Sequence, residues 1–285
     1  MKRRRFLQIV GATALAGRPA LADTWQGQAF GGDVAIRVEG ALPLAEVRAE
    51  IEAIEATFSL YRPSELTALN AAGRGPGSAR MRKVLELVLR VHLATQGAFD
   101  PTIQALWSAL SAGRDAAEAY AKIGVQRIKL QQEIFLAKGQ LISLNGIVQG
   151  YAADRVADIL RSHGCSDCLI DLGEYRAEGG PFRVGVEEPS AGLIGALTLG
   201  EGGHRAVATS SANAMQIGGR SHILGPQGQV PRWSTVSVCG ESAALCDAAS
   251  TAFVLMDRAA IENARDSLGL GTVVLVDFDG NLTSL

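Results

Sequence analysis

The residues from 145 to 154, Asn-Gly-Ile-Val-Gln-Gly-Tyr-Ala-Ala-Asp, are of a type that could carry phosphate chemistry. Gly146 and Gly150 open an amphipathic helical pattern directly after the apolar run 141–144. Glycines let a ligand approach the backbone, and a helix N-terminus offers unpaired N–H groups and partial positive charge. The stretch indicates a phosphate site, although Gly-rich turns are also plain connections in many folds.

Asp247 and Thr251 stand four residues apart on another predicted helix. Residues at this spacing share a helix face, so together they could supply two oxygen ligands to a hard cation such as Mg²⁺. Both also have ordinary structural roles, because an Asp near a helix N-terminus is favoured by the dipole and a Thr can bond to the preceding turn. The residues alone leave both interpretations open.

His222, one of four histidines, lies between a Gly-rich turn and Pro226. An imidazole titrates near neutral pH, as a general base requires. A single His in a loop is nevertheless more often a surface or structural residue, so its type alone does not assign it a role.

These features belong to an ordered set of blocks. Upstream are residues 58–66, Phe-Ser-Leu-Tyr-Arg-Pro-Ser-Glu-Leu, with Asn70 after them, and 97–102, Gly-Ala-Phe-Asp-Pro-Thr, with Leu106 and Trp107 after them; downstream are 208–210, Ala-Thr-Ser, 221–226, Ser-His-Ile-Leu-Gly-Pro, and 246–252, Cys-Asp-Ala-Ala-Ser-Thr-Ala. In this order they resemble the ApbE family, the FAD:protein FMN transferases, over residues 30 to 256. The combination is far more specific than any single block.

The resemblance implies Mg²⁺-dependent transfer of FMN from FAD to a Ser or Thr hydroxyl of a target flavoprotein, with release of AMP. It implies that Asp247, Thr251 and the backbone carbonyl of Val148 hold the magnesium, and that His222 is the general base. The residues implied to contact the flavin or adenine are Tyr61, Ala98, Phe99, Asp100, Asn145, Gly150, Tyr151 and Ile223. Asp100 has an alternative role as a turn cap ahead of Pro101.

Some positions depart from the family's pattern. Gly225 stands where Asp is usual, Gln149 where Lys is usual, and Ser143 where an acid is common. Glu174 and Ser211 each replace a usual Gly. Such changes remove charge or narrow a cleft, so two alternatives stay open: a non-catalytic FAD carrier, and an FAD pyrophosphatase giving FMN and AMP. A chain that binds neither FAD nor magnesium would instead be an exported structural or interaction protein.

Residues 1–22 are typical of a secretory signal of the twin-arginine type. Arg3, Arg4 and Arg5 precede Phe6, an apolar stretch follows, and Ala20-Leu21-Ala22 leads to Asp23. This predicts export of the folded protein to the periplasm and a mature ApbE-like domain over 23–285. Removing 1–22 would take the formal net charge from −2 to −7, and no basic cluster remains for nucleic acid. No second apolar run is long enough to span a bilayer.

The family's acceptor motif, Ser or Thr before Gly-Ala, does not occur in this chain, so modification of another protein is expected. With the twin-arginine signal, the resemblance extends to NosX-like members that serve a NosR-like membrane flavoprotein.

The four cysteines include one C-x-x-C, formed by Cys165 and Cys168. A zinc site would need a second such pair or histidines nearby. Buried or incidental thiols are favoured, and a late disulfide stays open in an oxidising compartment.

Hydrophobic periodicity predicts the secondary structure. The predicted helices are 44–58, 81–94, a turn and helix over 146–163, 243–255 and 259–268, and the predicted strands are 24–38, 127–130, 134–136, 141–144, 168–172, 182–186, 195–199, 206–209, 235–238 and 272–276. Strands outnumber helices, and many turns are too short for crossover helices. This favours an α+β fold with a mixed, mainly antiparallel sheet over a Rossmann fold. The resemblance adds flanking helices and a flavin cleft between two subdomains.

Overall fold

The computed structural model describes residues 7–9, 23–188, 192–201 and 203–285. Its strands are β1 Leu7–Ile9, β2 Asp23–Ala29, β3 Gly32–Val38, β4 Arg74–Gly75, β5 Lys129–Leu130, β6 Ile134–Phe135, β7 Cys168–Asp171, β8 Tyr175–Glu178, β9 Phe182–Glu188, β10 Gly192–Leu199, β11 Ala206–Ser211, β12 Gln216–Ile217, β13 Arg220–Ser221, β14 Thr235–Gly240, β15 Val273–Val276 and β16 Leu282–Ser284. Its α-helices are α1 Leu44–Phe58, α2 Glu65–Ala72, α3 Ala79–Ala94, α4 Gln104–Ser111, α5 Ala117–Tyr120, α6 Val148–Ser162, α7 Ala243–Phe253 and α8 Arg258–Leu268, and short 3-10 helices cover Pro101–Ile103 and Val125–Arg127.

Eight strands form the main sheet, in the order β16-β15-β14-β11-β8-β7-β3-β2. Every neighbouring pair in it is antiparallel. Antiparallel neighbours can be joined by short turns, as the sequence suggested. The predicted α+β class with a mainly antiparallel sheet is therefore confirmed.

The two faces of this sheet belong to different cores. Along β11, Ala206 and Ala208 lie in the main core, while Val207 lies in a second core with Cys239 and Tyr175. This alternation is the period of two that a strand imposes on its side chains. The main core lies on the face covered by α6 and α7, and the β9–β10 hairpin contributes Val184, Val186 and Leu199 to the second core.

The stretch predicted as one strand over 24–38 is a hairpin, β2 and β3. Its turn residues Phe30 and Gly31 have φ of +52° and +76°, and Ala29 pairs with Gly32. Positive φ at both central residues matches the twist of two-residue hairpins. The polar–apolar alternation continues through such a turn, so it does not reveal the reversal.

The predicted strand 141–144 is wrong. Ile142 and Leu144 are fully buried, but a side chain replaces the strand partner: Asn70 Oδ1 accepts the Ile142 N–H and Asn70 Nδ2 donates to the Ile142 carbonyl, both at 2.8 Å. An amide side chain can satisfy a backbone N–H and C=O together. The glycine turn before α6 therefore follows an extended loop.

Two further differences concern short elements. The predicted strand 127–130 is confirmed only at Lys129 and Leu130, which form β5, whereas Arg127 ends a 3-10 helix. The helix α2 was not predicted, although its signals are present: Ser64 and Thr67 form a capping box, and Gly73 ends the helix with φ of +70°.

The four cysteines are free and buried, which confirms the expected buried thiols. Burial raises the pKa of Cys168 and of Cys239 to about 12. Cys239 lies in the second core and Cys246 in the main core. These thiols are protonated at neutral pH and lack the thiolate that redox and metal chemistry need.

The predicted signal lies mostly in residues 1–6 and 10–22, outside the described residues, and stays a prediction. Within it, Leu7–Ile9 pairs antiparallel with β9. Within the described ranges, no helix is long and apolar enough to cross a membrane.

Glu50 on α1 predicts a pH-dependent contribution to stability. Its carboxylate accepts from Arg80 at 2.6 and 2.9 Å and from Arg155 at 3.2 Å, and the Arg80 hydrogen bond lowers its pKa. A lowered folded-state pKa stabilises the fold above the unfolded pKa of Glu, about 4.3, and this stabilisation is lost as the pH falls through the folded value.

We expect Glu50→Gln to lower the free energy of unfolding by about 1 kcal/mol at neutral pH. The difference from the wild type should shrink as the pH falls through the lowered folded-state pKa of Glu50, which urea unfolding across pH measures. The control is Glu86→Gln, whose carboxylate is exposed and 3.8 Å from Lys83. A difference that is constant with pH would contradict the assignment.

Candidate functional site

The site is built where α6 crosses α7 at close range. A Cβ on Gly150 would overlap the carbonyl of Ala243 and approach the Ala244 nitrogen. Only glycine fits such a backbone approach, and this is the role the structure gives to Gly150. The small side chains of α7, such as Ala244 and Ala248, are buried along the same helix.

Each of the two helices supplies a carboxylate that caps the other. Asp154 of α6 accepts from Ser242 Oγ at 2.8 Å and from the N–H groups of Ala243 and Ala244 at 2.9 and 3.1 Å. In return, Asp247 of α7 accepts the N–H of Gly150 through Oδ2 at 3.0 Å. Carboxylates at helix N-termini bond to otherwise unpaired donors and are favoured by the dipole.

Thr251 lies one turn after Asp247, directly below the glycine turn. A Cβ on Gly146 would lie 2.9 Å from Thr251 Oγ1 and 3.4 Å from the ring of Phe99. Ser210 at the end of β11 places its Oγ 3.4 Å from Thr251 Oγ1 and 2.8 Å from Ser250 Oγ. A side chain at 146 would cover the Thr251 hydroxyl. The space that Gly146 leaves beside this hydroxyl is called the Gly146 cradle below.

The crossing brings together carboxylates and one arginine, Arg176, whose Nε lies 3.7 Å from Asp154 Oδ1. The pKa of the buried Cys246 thiol is raised first by burial, and also by Asp154, Glu174 and Asp247. Burial also raises the pKa of Asp154, against the effect of the two α7 amides that it accepts. A nearby cation favours the charged form of such a buried carboxyl group.

The start of α6 is not an open phosphate cradle. The N–H groups of Ile147 and Val148 both donate to the Leu144 carbonyl at 3.1 Å, and that of Gly150 donates to Asp247. These amides already have protein acceptors. The phosphate interpretation of this turn therefore needs positive charge from elsewhere.

Some of the residues that the resemblance implies as flavin contacts lie near the glycine turn. Tyr61 is 76% exposed, and its hydroxyl accepts from Asn145 Nδ2 at 3.4 Å. Ala98 and Phe99 are buried, and the Phe99 ring lies beside Gly146. The structure therefore brings Tyr61, Asn145 and Phe99 to the glycine turn.

Asp100 and Tyr151 have structural roles. Asp100 Oδ1 accepts from the N–H and hydroxyl of Thr102 at 2.9 and 2.5 Å, and its Oδ2 accepts from Val125 N at 3.1 Å. The turn-cap role of Asp100 is thus confirmed. Tyr151 packs edge-to-face on Phe58, with ring centres 6.0 Å apart. Flavin contacts of these two residues stay predictions.

His222 directly follows the β12–β13 hairpin. Its Nδ1 lies 3.1 Å from the carbonyl of Met215. Because a carbonyl only accepts, Nδ1 carries the proton of the neutral ring and Nε2 is the basic nitrogen. Ile223 is buried in the main core. The roles of both residues at a ligand stay predictions.

Three residues that depart from the family's pattern make contacts that the sequence did not predict. Gln149 Nε2 donates to the Leu172 carbonyl at 3.2 Å, and Glu174 Oε2 accepts the Thr209 N–H at 3.0 Å. Ser211 Oγ lies 2.6 Å from Thr235 Oγ1. The sequence signal for these three residues was their departure from the family's pattern.

Gly225 sits in a closed turn, where a Cβ would overlap the backbone of Gln229 and lie 2.7 Å from Gln229 Oε1. Gln229 Oε1 accepts the N–H of Gln227 at 2.9 Å. The space for a side chain at 225 is therefore occupied.

Two surface clefts lie apart from the predicted site residues. One, of about 360 Å³, is lined by Glu178, Arg205 and Glu241 among others. The other, of about 520 Å³, is lined by Arg127, Lys129 and Phe135 among others. No three His, Cys, Asp or Glu side chains of the described segments form a metal centre. The implied magnesium set contains one carboxylate, with a hydroxyl and a carbonyl.

Comparisons with known proteins cover nearly the whole described chain. The model of the ApbE family matches residues 30–273. An FAD:protein FMN transferase of Klebsiella pneumoniae is 24% identical over 93% of this chain and 84% of its own length. Among solved structures, flavin transferase ApbE from Vibrio cholerae has a TM-score of 0.78 at 21% identity, covering 92% of this chain and 96% of its own. The apbe protein from Thermotoga maritima has a TM-score of 0.81 at 22% identity, with the same coverage.

Gly150→Ala tests the close crossing. Ala normally stabilises a helix by about 1 kcal/mol relative to Gly, but here the methyl group must push α6 from α7. We expect the free energy of unfolding to fall by about 3 kcal/mol, measured by urea denaturation. Gly195→Ala is the control, since its Cβ would meet open space. Equal changes in the free energy of unfolding for the two variants would contradict the close approach of α6 and α7 at Gly150.

Gly225→Asp tests whether the usual acid can be restored. The side chain would displace Gln229, so we expect the melting temperature to fall by about 5 °C and any flavin transfer to fall with it. Gly32→Asp, at a position with open space, is the control. Higher flavin transfer at an unchanged melting temperature would show that the missing carboxylate limits the activity of the chain.

Proposed function

The chain belongs to the ApbE family, and from that premise we propose that it transfers FMN from FAD to a Ser or Thr hydroxyl of a target flavoprotein and releases AMP. The observation that carries the proposal is the convergence of Asp247, Thr251 and Gly146 at the α6–α7 crossing. A carboxylate and a hydroxyl meet there under a glycine that leaves room for a ligand.

The donor set fits Mg²⁺. Asp247, Thr251 and the Val148 carbonyl would hold it through oxygen atoms, which this cation prefers, and the Gly146 cradle leaves the Thr251 hydroxyl uncovered. When bound, Mg²⁺ would neutralise negative charge on the FAD diphosphate. The start of α6 supports this proposal, because its amides at Ile147, Val148 and Gly150 donate inside the protein and are not free for the phosphates.

His222 would act on the acceptor. Its Nδ1–H donates to Met215, so Nε2 takes the proton from the target hydroxyl. The hydroxyl oxygen forms a bond to the FMN-side phosphorus, the bond from that phosphorus to the bridging oxygen breaks, and AMP leaves with that oxygen. Phosphoryl transfer of this kind depends mainly on positioning and charge stabilisation.

The flavin would lie beside the glycine turn. Phe99 and Tyr61 offer aromatic faces there, and Asn145 offers an amide next to Tyr61. Aromatic side chains stack well on planar rings. The partner would be an exported flavoprotein with a Ser/Thr-Gly-Ala motif, such as a NosR-like membrane protein. The predicted twin-arginine signal would bring this chain to the periplasm already folded.

The test is incubation with FAD, Mg²⁺ and an acceptor domain carrying the motif, following acceptor mass and AMP together. We expect FMN addition with one AMP released per acceptor. Asp247→Asn should lower the rate at least about 100-fold, because a carboxylate ligand is lost. Asp158→Asn, on the exposed face of α6, is the matched control and should leave the rate unchanged.

The other outcomes identify the alternatives. FMN and AMP released without acceptor modification would indicate an FAD pyrophosphatase. FAD binding without AMP release would indicate a carrier. Failure to bind FAD in Mg²⁺ would contradict all three functions.

A further inference from the structure

The strand β11 loses its backbone partner on one side before it reaches the candidate site. It pairs with β8 only at Ala206 and Val207, whereas its pairing with β14 continues to Ser211. At Thr209 the acceptor is a side chain in place of a strand backbone: Glu174 Oε2 accepts the Thr209 N–H at 3.0 Å. Glu174 and Thr209 are buried, so loss of this acceptor would leave a buried donor unsatisfied.

The next residue, Ser210, faces α7. Its hydroxyl meets Ser250 at 2.8 Å and Thr251 at 3.4 Å. Thr209 points to the opposite face, where its hydroxyl pairs with Ser237 at 2.7 Å. Because side chains alternate along a strand, fixing the backbone at Thr209 fixes the direction of Ser210.

We propose that Glu174 is a positioning residue, which holds Ser210 and through it the Thr251 hydroxyl in place for the cation. The role rests on the proposed function, in which Thr251 is a magnesium ligand. The positioning role depends on the length of the Glu174 side chain. A Gln has the same length and a carbonyl oxygen that accepts the same bond, whereas an Asp keeps the charge but is one methylene shorter.

The test compares Glu174→Gln with Glu174→Asp in the full chain. Mg²⁺ is titrated in the presence of FAD, and binding is followed by flavin fluorescence. We expect the Gln variant to stay within about threefold of the wild type and the Asp variant to need at least about tenfold more Mg²⁺, the range typical of residues that orient metal ligands. Hydrogen exchange at the Thr209 amide should accelerate in the Asp variant alone.

Glu262→Gln and Glu262→Asp, on the exposed face of α8, are the matched controls and should not shift the titration. If the Asp variant does not fold, Ser210→Ala must show the same rise in Mg²⁺ requirement. An Asp variant equal to the wild type, or a Gln variant as impaired as the Asp variant, overturns the positioning role alone. A wild type whose FAD binding is independent of Mg²⁺ overturns the proposed function and this role with it.

Discussion

The reciprocal capping of α6 and α7 is the constraint on which the site depends. Asp154 of one helix bonds to the first amides of the other, and Asp247 returns a bond to Gly150. Neither helix can slide without breaking both caps, and Gly150 is what permits the distance at which they form. A helix end normally relies on its own neighbouring residues for capping. The helix α7 has such a local cap, because Ser242 Oγ accepts the Leu245 N–H at 3.3 Å. Each helix end also receives an acceptor from the other helix, so the position of Asp247 is set by packing.

The same arrangement brings buried carboxylates together. Asp154, Glu174 and Asp247 each help to raise the pKa of the buried Cys246 thiol, and each accepts a backbone N–H. Hydrogen bonds from amides reduce the cost of burying a carboxylate, and Arg176 adds a positive charge, with its Nε 3.7 Å from Asp154 Oδ1. Carboxylates near the site would repel an anionic diphosphate. In the proposed function, a cation between the Asp247 carboxylate and the phosphates would offset this repulsion.

Much of the fold could be predicted from periodicity, and the exceptions have physical causes. The amphipathic pattern of 44–58 gave α1 with the bounds that the structure shows, because a long helix with one buried face has a clear period. The run 141–144 looked like a strand because Ile142 and Leu144 are buried, yet Asn70 supplies its hydrogen bonds. A side chain 72 residues away in sequence leaves no local signal.

The candidate site, too, could be predicted from the sequence only in part. Spacing placed Asp247 and Thr251 on one face of α7, and the structure agrees. The bond from Gly150 to Asp247 and the cap by Asp154 depend on how two helices cross, which periodicity does not describe. For Asp100, a local rule sufficed: an Asp before Pro and Thr caps a turn.

The proposed function depends most directly on a cation that is held by Asp247 and contacts the FAD diphosphate. Mn²⁺ in place of Mg²⁺ allows this to be measured through the phosphorus NMR relaxation of bound FAD. We expect strong paramagnetic relaxation of both FAD phosphorus nuclei in the wild type and its loss in Asp247→Asn. Equal relaxation in the two proteins, or none in the wild type, would contradict it.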